Sequence, residues 1–172
     1  MGFPWRHMLI LATFVAGPLL LTACGGDEQL TLDEYLQRFK EISETSGTQA
    51  DAIIEEYETK GVGEDLQATQ DYLGAYGTLA RQVLKELNNL HPPTQARDAH
   101  EGYVAAHSDA MGLLEDLSDR VADLESPSSL PELLAELDGP DFDKANQRIA
   151  RSCLELQEIA DQNGIDVDLR CE

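Results

Sequence analysis

The chain has 172 residues, of which 33 are acidic and 12 basic, and its formal charge is −21. This length suits one domain with a single hydrophobic core. The charge repels phosphate and supplies few cations to displace counterions, so it excludes nucleic acid as a partner. It favours a well-solvated surface, and the partner that it can attract is a cationic protein or ligand.

Residues 1–23 have the layout of an export signal. One cation, Arg6, stands near the start, and the run from Met8 to Leu21 is apolar apart from Thr13, as in secretory signals. The run ends in Leu21-Thr22-Ala23-Cys24, which resembles the lipobox of bacterial lipoproteins. The alternative is a transmembrane helix, which needs about 20 apolar residues where this run has about 14.

The lipoprotein resemblance implies how the mature chain begins and where it is held. In that family the cysteine becomes the first mature residue and carries a diacylglyceryl group and a further acyl chain such as palmitate, so Cys24 is the expected lipidation site. Two or more acyl chains anchor a protein stably. Residues 24–30 form a lipidated tether, and the domain of residues 31–172 is expected on the extracytoplasmic side of the cell membrane. Gly25 after the cysteine implies the outer membrane where a second membrane exists.

Four long amphipathic segments predict an all-α fold. Thr31 and Glu34 form a capping box before the first segment. From there, inward positions recur every three or four residues as far as Tyr57, and Ile42 and Ile54 widen the stripe. Glycines at positions 61 and 63 end this helix.

Proline and glycine delimit the later helices. The second is expected from Glu64 to Leu90, the third from about Thr94 to Leu124, and the fourth from about Asp141 to Asn163. In the irregular connection before the fourth, the stretch 130–137 predicts a short extra helix.

The architecture that these segments predict is an antiparallel up-and-down four-helix bundle, because the helices are long and two of the three joins are short. The regular spacing leaves a coiled-coil oligomer as the alternative. Ser129 with Glu132 is expected to cap the short extra helix. After the last helix, alternating apolar residues at 165, 167 and 169 predict an extended tail against the bundle. In this layout the mature part is similar to small, uncharacterised helical lipoproteins of bacteria.

Cys153 and Cys171 are the two cysteines that remain once Cys24 is acylated. An exported chain lives where disulfides persist, and the tail is long enough to return to the helix, so we expect the two to be bonded. Two free thiols are the alternative.

The third helix carries a candidate metal site at His107 and Met111, which lie one turn apart, with His100 on the same seam. An imidazole and a thioether suit copper outside the cytoplasm. His100 is about 10.5 Å from His107 along the axis, too far to share one ion. The alternative is a bundle histidine beside a core methionine.

Asp138, Asp141 and Asp143 cluster where the last helix starts and can be read as a calcium site, but their spacing does not fit an EF-hand loop. They are also suited to stabilise a helix N-terminus.

The sequence contains no catalytic or phosphate-binding motif. It therefore predicts a lipid-anchored lipoprotein with a non-catalytic binding or envelope-associated role and no cofactor. A copper-handling or copper-sensing lipoprotein is the alternative.

Overall fold

The computed structural model of the chain describes residues 30–171, and four long helices account for most of them. The helices, with the short fourth, are α1 (Leu32–Glu58), α2 (Leu66–Asn88), α3 (Arg97–Ala122), α4 (Leu130–Leu134) and α5 (Pro140–Gln162). Around the bundle α3 packs against both α2 and α5, while α1 packs mainly against α2. No strand occurs within this range. The predicted all-α bundle with a short extra helix before the last long one is confirmed.

Local sequence signals fix the helix ends. The Thr31 hydroxyl accepts a hydrogen bond from the Glu34 amide at 3.3 Å, and the Thr31 amide donates to the Glu34 carboxylate at 3.0 Å, so the predicted capping box is present. The start of α2 was predicted two residues early, because the Asp65 side chain caps it by accepting from the Ala68 amide at 2.7 Å. A 3-10 turn, Thr94–Ala96, precedes α3.

The core falls into two clusters at opposite ends of the bundle. The larger one lies where α1 begins, and its buried members are Tyr35, Leu36, Phe39, Leu87, Leu90, Ala96, Ala99, Tyr103, Cys153, Leu156, Ala160, Val167 and Leu169. The smaller one lies where α1 ends, and its buried members are Leu73, Leu114, Leu117, Val121 and Leu130. We call the two halves the near half (30–44, 81–109 and 148–171) and the far half (45–80 and 110–147).

The second half of α1 is packed less deeply than its first. Every buried residue of α1 lies at or before Phe39, and the later inward positions are only half-buried. Ile54 was expected in the stripe, and this prediction is wrong, because its side chain is 43% exposed. Successive helical residues point about 100° apart, and it is Ile53 that faces the bundle.

The connection between α3 and α5 is held in place by apolar and ionic contacts. Leu130 is fully buried in the far cluster. The Arg120 guanidinium donates to both oxygens of Glu136, at 2.6 and 2.5 Å. Ser129 is the N-cap residue of α4, as predicted, but its side chain makes no capping bond. Ser126 caps the preceding 3-10 turn, Pro127–Ser129, by accepting from the Ser128 amide.

The tail after α5 turns back at Gly164, whose φ is +67°, and lies extended along the helix. Val167 and Leu169 are buried in the near cluster, as predicted. The Gln157 side chain donates to the Val167 carbonyl and accepts from the Leu169 amide, both at 2.9 Å. Cys153 and Cys171 form the predicted disulfide bond.

Candidate functional site

His100 is built into the core of the near half. It is 5% exposed, and its Nδ1 shares a hydrogen bond of 3.0 Å with the hydroxyl group of Tyr35. Burial lowers the pKa of His100, although the Glu101 charge and the Leu87 backbone act in the opposite direction. The ring is therefore a neutral, hydrogen-bonded core side chain at neutral pH.

His107 lies on the same face of α3, about two helical turns after His100. Its ring packs on that of Tyr103 with centroids 4.5 Å apart. Burial lowers its pKa to about 4. Its Nε2 is enclosed and has no hydrogen-bond partner among residues 30–171.

Met111 and His107 have different surroundings. It lines an open groove of about 680 Å³ between α2 and α3, of which His100 and Ser108 also form part, whereas His107 is not one of the lining residues. In the described part of the chain, no three His, Cys, Asp or Glu side chains converge as ligands of one ion. The structure thus places the two predicted ligands on one helix but in different surroundings.

The aspartates at the start of α5 do not cap it through their side chains. Gly139 is the N-cap residue and no side chain hydrogen-bonds to the cap, while Asp141 and Asp143 lie in the first turn. Their remaining contribution there is the interaction of negative charge with the helix dipole.

Cys24 and the predicted signal segment lie outside the described residues, 30–171. Within residues 30–171, none of the helices is long and apolar enough to span a membrane.

An open apolar cleft lies in the far half, between the end of α1, the start of α2 and the α4 connection. It has a volume of about 330 Å³, within the usual size range of ligand pockets. Its lining is predominantly apolar and consists of Ile54, Tyr57, Glu58, Val62, Tyr72, Leu134 and Leu137. We call this the far cleft.

Aromatic contacts order the wall of the far cleft. The rings of Tyr57 and Tyr72 meet edge to face with centroids 5.8 Å apart, and Tyr76 continues the row at 5.6 Å from Tyr72. The Lys60 ammonium sits 4.1 Å from the Tyr57 ring centroid and 2.6 Å from the Glu56 carboxylate. The Glu56 hydrogen bond, and the charges of Glu56 and Asp71, raise the pKa of Lys60. The cleft rim thus already holds one cation between an aromatic face and carboxylates.

The floor of the far cleft is fixed by the α1–α2 turn. Gly63 has a φ of +88°, and a Cβ there would lie 3.4 Å from Leu134 Cδ1, so a glycine allows the turn to approach α4 closely. The Gly63 amide donates to the Thr69 hydroxyl at 2.9 Å, and Thr69 is fully buried. The cleft is therefore preformed.

Charge is distributed unevenly along the bundle. The far half has 17 acidic and 3 basic residues, a formal charge of −14, whereas the near half has 13 acidic and 8 basic residues, a formal charge of −5. The far cleft therefore lies in the more negative half of the bundle.

Sequence reasoning missed the far cleft. Its residues come from three separate segments, and each was assigned to a core stripe or to a connection. The one available signal was the Ile53-Ile54 pair, since adjacent helical residues cannot both face the same neighbour.

No family model matches the chain, and no curated protein or solved structure shows significant similarity to it.

Proposed function

We propose that the chain is a lipid-anchored extracytoplasmic lipoprotein whose bundle presents a non-catalytic binding surface away from the membrane. The observation that carries the proposal is that the start of the bundle domain and the far cleft lie at opposite ends of the bundle. Leu30, to which the tether connects, packs on the near cluster, and the far cleft lies at the other end of α1. The two ends are about 40 Å apart at 1.5 Å per residue.

The charge pattern supports this orientation. Eight of the 11 basic residues in the described range belong to the near half. An anionic leaflet repels this half less than the far half, so anchoring at Cys24 places the more compatible end next to the bilayer. The disulfide between Cys153 and Cys171 also suits a chain exposed to an oxidising compartment.

The test of anchoring is Cys24→Ala in the producing cell. The wild-type protein should be recovered with the membranes, carry acyl chains on its N-terminal peptide by mass spectrometry and lack residues 1–23. The variant should lose the acyl chains and leave the membrane fraction on detergent phase separation. A wild-type protein that keeps its first 23 residues and carries no acyl chain contradicts the proposal, and the segment is then a transmembrane anchor.

Copper handling is the second candidate, and one observation favours it: Nε2 of His107 is buried without a hydrogen-bond partner. A soft ion needs imidazole and thioether together. Titration with Cu(I) distinguishes the two functions. Tight stoichiometric uptake that is lost in both His107→Ala and Met111→Leu supports copper handling, whereas weak uptake that survives both changes rejects it.

A further inference from the structure

We infer that the far cleft binds a basic polypeptide segment that inserts a bulky apolar side chain among Ile54, Tyr57 and Leu134. The inference rests on the proposed binding function and names its site and partner chemistry. Three observations carry it: the exposed apolar side chain of Ile54, the preformed aromatic cleft and the strong negative charge of the far half.

The cleft walls specify the apolar part of the partner. Ile54 keeps 43% of its surface exposed at the cleft. Covering this wall removes apolar surface from water on both partners, which drives association. A cleft of about 330 Å³ takes one or two side chains rather than a whole helix. A single aromatic or large aliphatic residue is therefore the natural anchor.

The charged residues near the cleft indicate why the partner should be basic. Of the seven lining residues only Glu58 is charged. The other charged side chains near the cleft, such as Lys60 and Glu56, lie at its rim. Asp71 lies near enough to Lys60 to raise the pKa of that ammonium, after the larger effect of Glu56. Lys60 above Tyr57 shows which group the rim accommodates, a primary ammonium between an aromatic face and carboxylates. Lysine or arginine residues flanking the anchor can pair with the other carboxylates of the far half.

The negative charge of the far half also disfavours other possible occupants of the cleft. A second copy of the chain would bring a far half with the same charge of −14, so two far clefts repel each other. An anionic lipid surface is repelled in the same way. Because the 17 acidic residues of the far half are spread over parts of all four long helices and the connections between them, several spaced cations fit them better than one small cation.

The test measures peptide binding to the full-length lipoprotein in nanodiscs of neutral phosphatidylcholine. Three labelled ten-residue peptides serve as probes: one of lysine and glycine with a central tryptophan, the same peptide with glycine for tryptophan, and one with glutamate for lysine. The first should bind at least about ten-fold more tightly than the glutamate peptide, because the far half repels negative charge. It should also bind at least about ten-fold more tightly than the peptide without tryptophan, since burial of one large apolar side chain stabilises by more than about 1.4 kcal/mol. Its affinity should fall as salt rises.

A pair of matched variants distinguishes the cleft from general charge attraction. Ile54→Glu makes the far half more acidic but places a charge in the apolar wall, so it should weaken the lysine–tryptophan peptide about ten-fold or more. Leu154→Glu makes the same change at a side chain that is 56% exposed in the near half, and it should leave binding unchanged. Thermal unfolding checks that both variants are folded.

Several outcomes would overturn the inference. Equal binding of both basic peptides, or equal or tighter binding to Ile54→Glu, would mean general charge attraction only. Preference for the glutamate peptide, or self-association that Ile54→Glu abolishes, would assign the cleft to another occupant. Absence of binding at low salt would also reject it. Acylation of Cys24 is measured separately, so failure here leaves the anchoring proposal distinguishable.

Discussion

The hydroxyl group of Tyr35 in α1 lies 3.0 Å from Nδ1 of His100 in α3, and both side chains are buried. The two rings also meet edge to face with centroids 5.7 Å apart. This polar contact connects the first helix to the third at the end of the bundle where α1 begins. It gives His100 a structural role.

Tyr35→Phe should reduce the free energy of unfolding by about 1 to 3 kcal/mol, because it leaves a buried imidazole nitrogen without its partner. Urea denaturation measures this. Tyr57→Phe removes a hydroxyl group from a half-buried ring in the far half, and it should cost less than about 0.5 kcal/mol. Equal losses in the two variants would show that the Tyr35–His100 bond adds nothing to stability.

Gly102 marks a close approach of α3 to α5. A Cβ at this position would lie 2.8 Å from Ser152 Oγ, and Ser152 is buried. Gly102→Ala should therefore destabilise the protein despite the higher helix propensity of alanine, or at best leave it unchanged if the serine rotates. In a Ser152→Ala background the obstructing oxygen is gone, and the same change should become stabilising.

Gly112→Ala is the matched control for Gly102, because both glycines lie inside α3 and nothing comes within 4 Å of a Cβ at Gly112. It should stabilise by about 0.5 to 1 kcal/mol in either background. Thermal unfolding of the four variants in the double-mutant cycle, with the Gly112 controls, gives the coupling energy. Coupling near zero between positions 102 and 152 would contradict the close approach.

The features that could be predicted from the sequence are those that depend on residues close together in the chain. Thr31 and Glu34 are three residues apart, Gly164 ends the last helix by itself, and the alternation from Ile165 to Leu169 is continuous, so each signal survives in the structure. Ser129 occupies the N-cap position of α4 as predicted, but the side-chain capping bond in this connection is made by Ser126, three residues earlier, to the preceding 3-10 turn.

What the sequence could not predict depends on residues that are far apart along the chain. The 3.0 Å contact between Tyr35 and His100 spans 65 positions. The far cleft likewise joins Ile54 to Leu134 through a helix connection whose path has no periodic signal. The heptad-like spacing placed Met111 and His107 on one face, but only the packing of α2 shows that Met111 borders a groove.

The disulfide and Gln157 act together on the tail. Cys153 and Cys171 are 18 residues apart, and closing a loop of this length should stabilise the protein by about 3 kcal/mol. Reduction, or replacement of both cysteines by alanine, should remove this amount in urea denaturation. Gln157→Ala should cost a further 1 to 2 kcal/mol or so, because it removes two hydrogen bonds to the tail.

Gln82→Ala is the control for Gln157. The Gln82 amide group bonds to Glu86 on the exposed face of α2, at 3.0 Å, and its loss should cost less than about 0.5 kcal/mol. If Gln157→Ala is equally mild, the tail is held by its apolar residues and the disulfide alone.

Acid should destabilise the protein through His107. Burial lowers its pKa from 6.5 to about 4 in the folded protein, so between these two values the unfolded chain binds more protons than the folded one. Stability therefore rises with pH across this window and is lost as pH falls from about 6.5 towards 4. One such group contributes a slope of up to about 1.4 kcal/mol per pH unit. Burial of His100 lowers its pKa as well and acts in the same direction.

His107→Leu should flatten the dependence of the unfolding free energy on pH between about 4.5 and 6.5, and His91→Gln, at an exposed position in the α2–α3 turn, should not. Leucine also removes the unpartnered Nε2, so the variant should be at least as stable as the wild type at pH 5. Urea denaturation across this pH range measures both effects, and an NMR titration of the ring protons reports the pKa of His107 directly. A titration midpoint near 6.5 for His107, or an unchanged slope in His107→Leu, would show that this ring is solvated in solution and free to protonate.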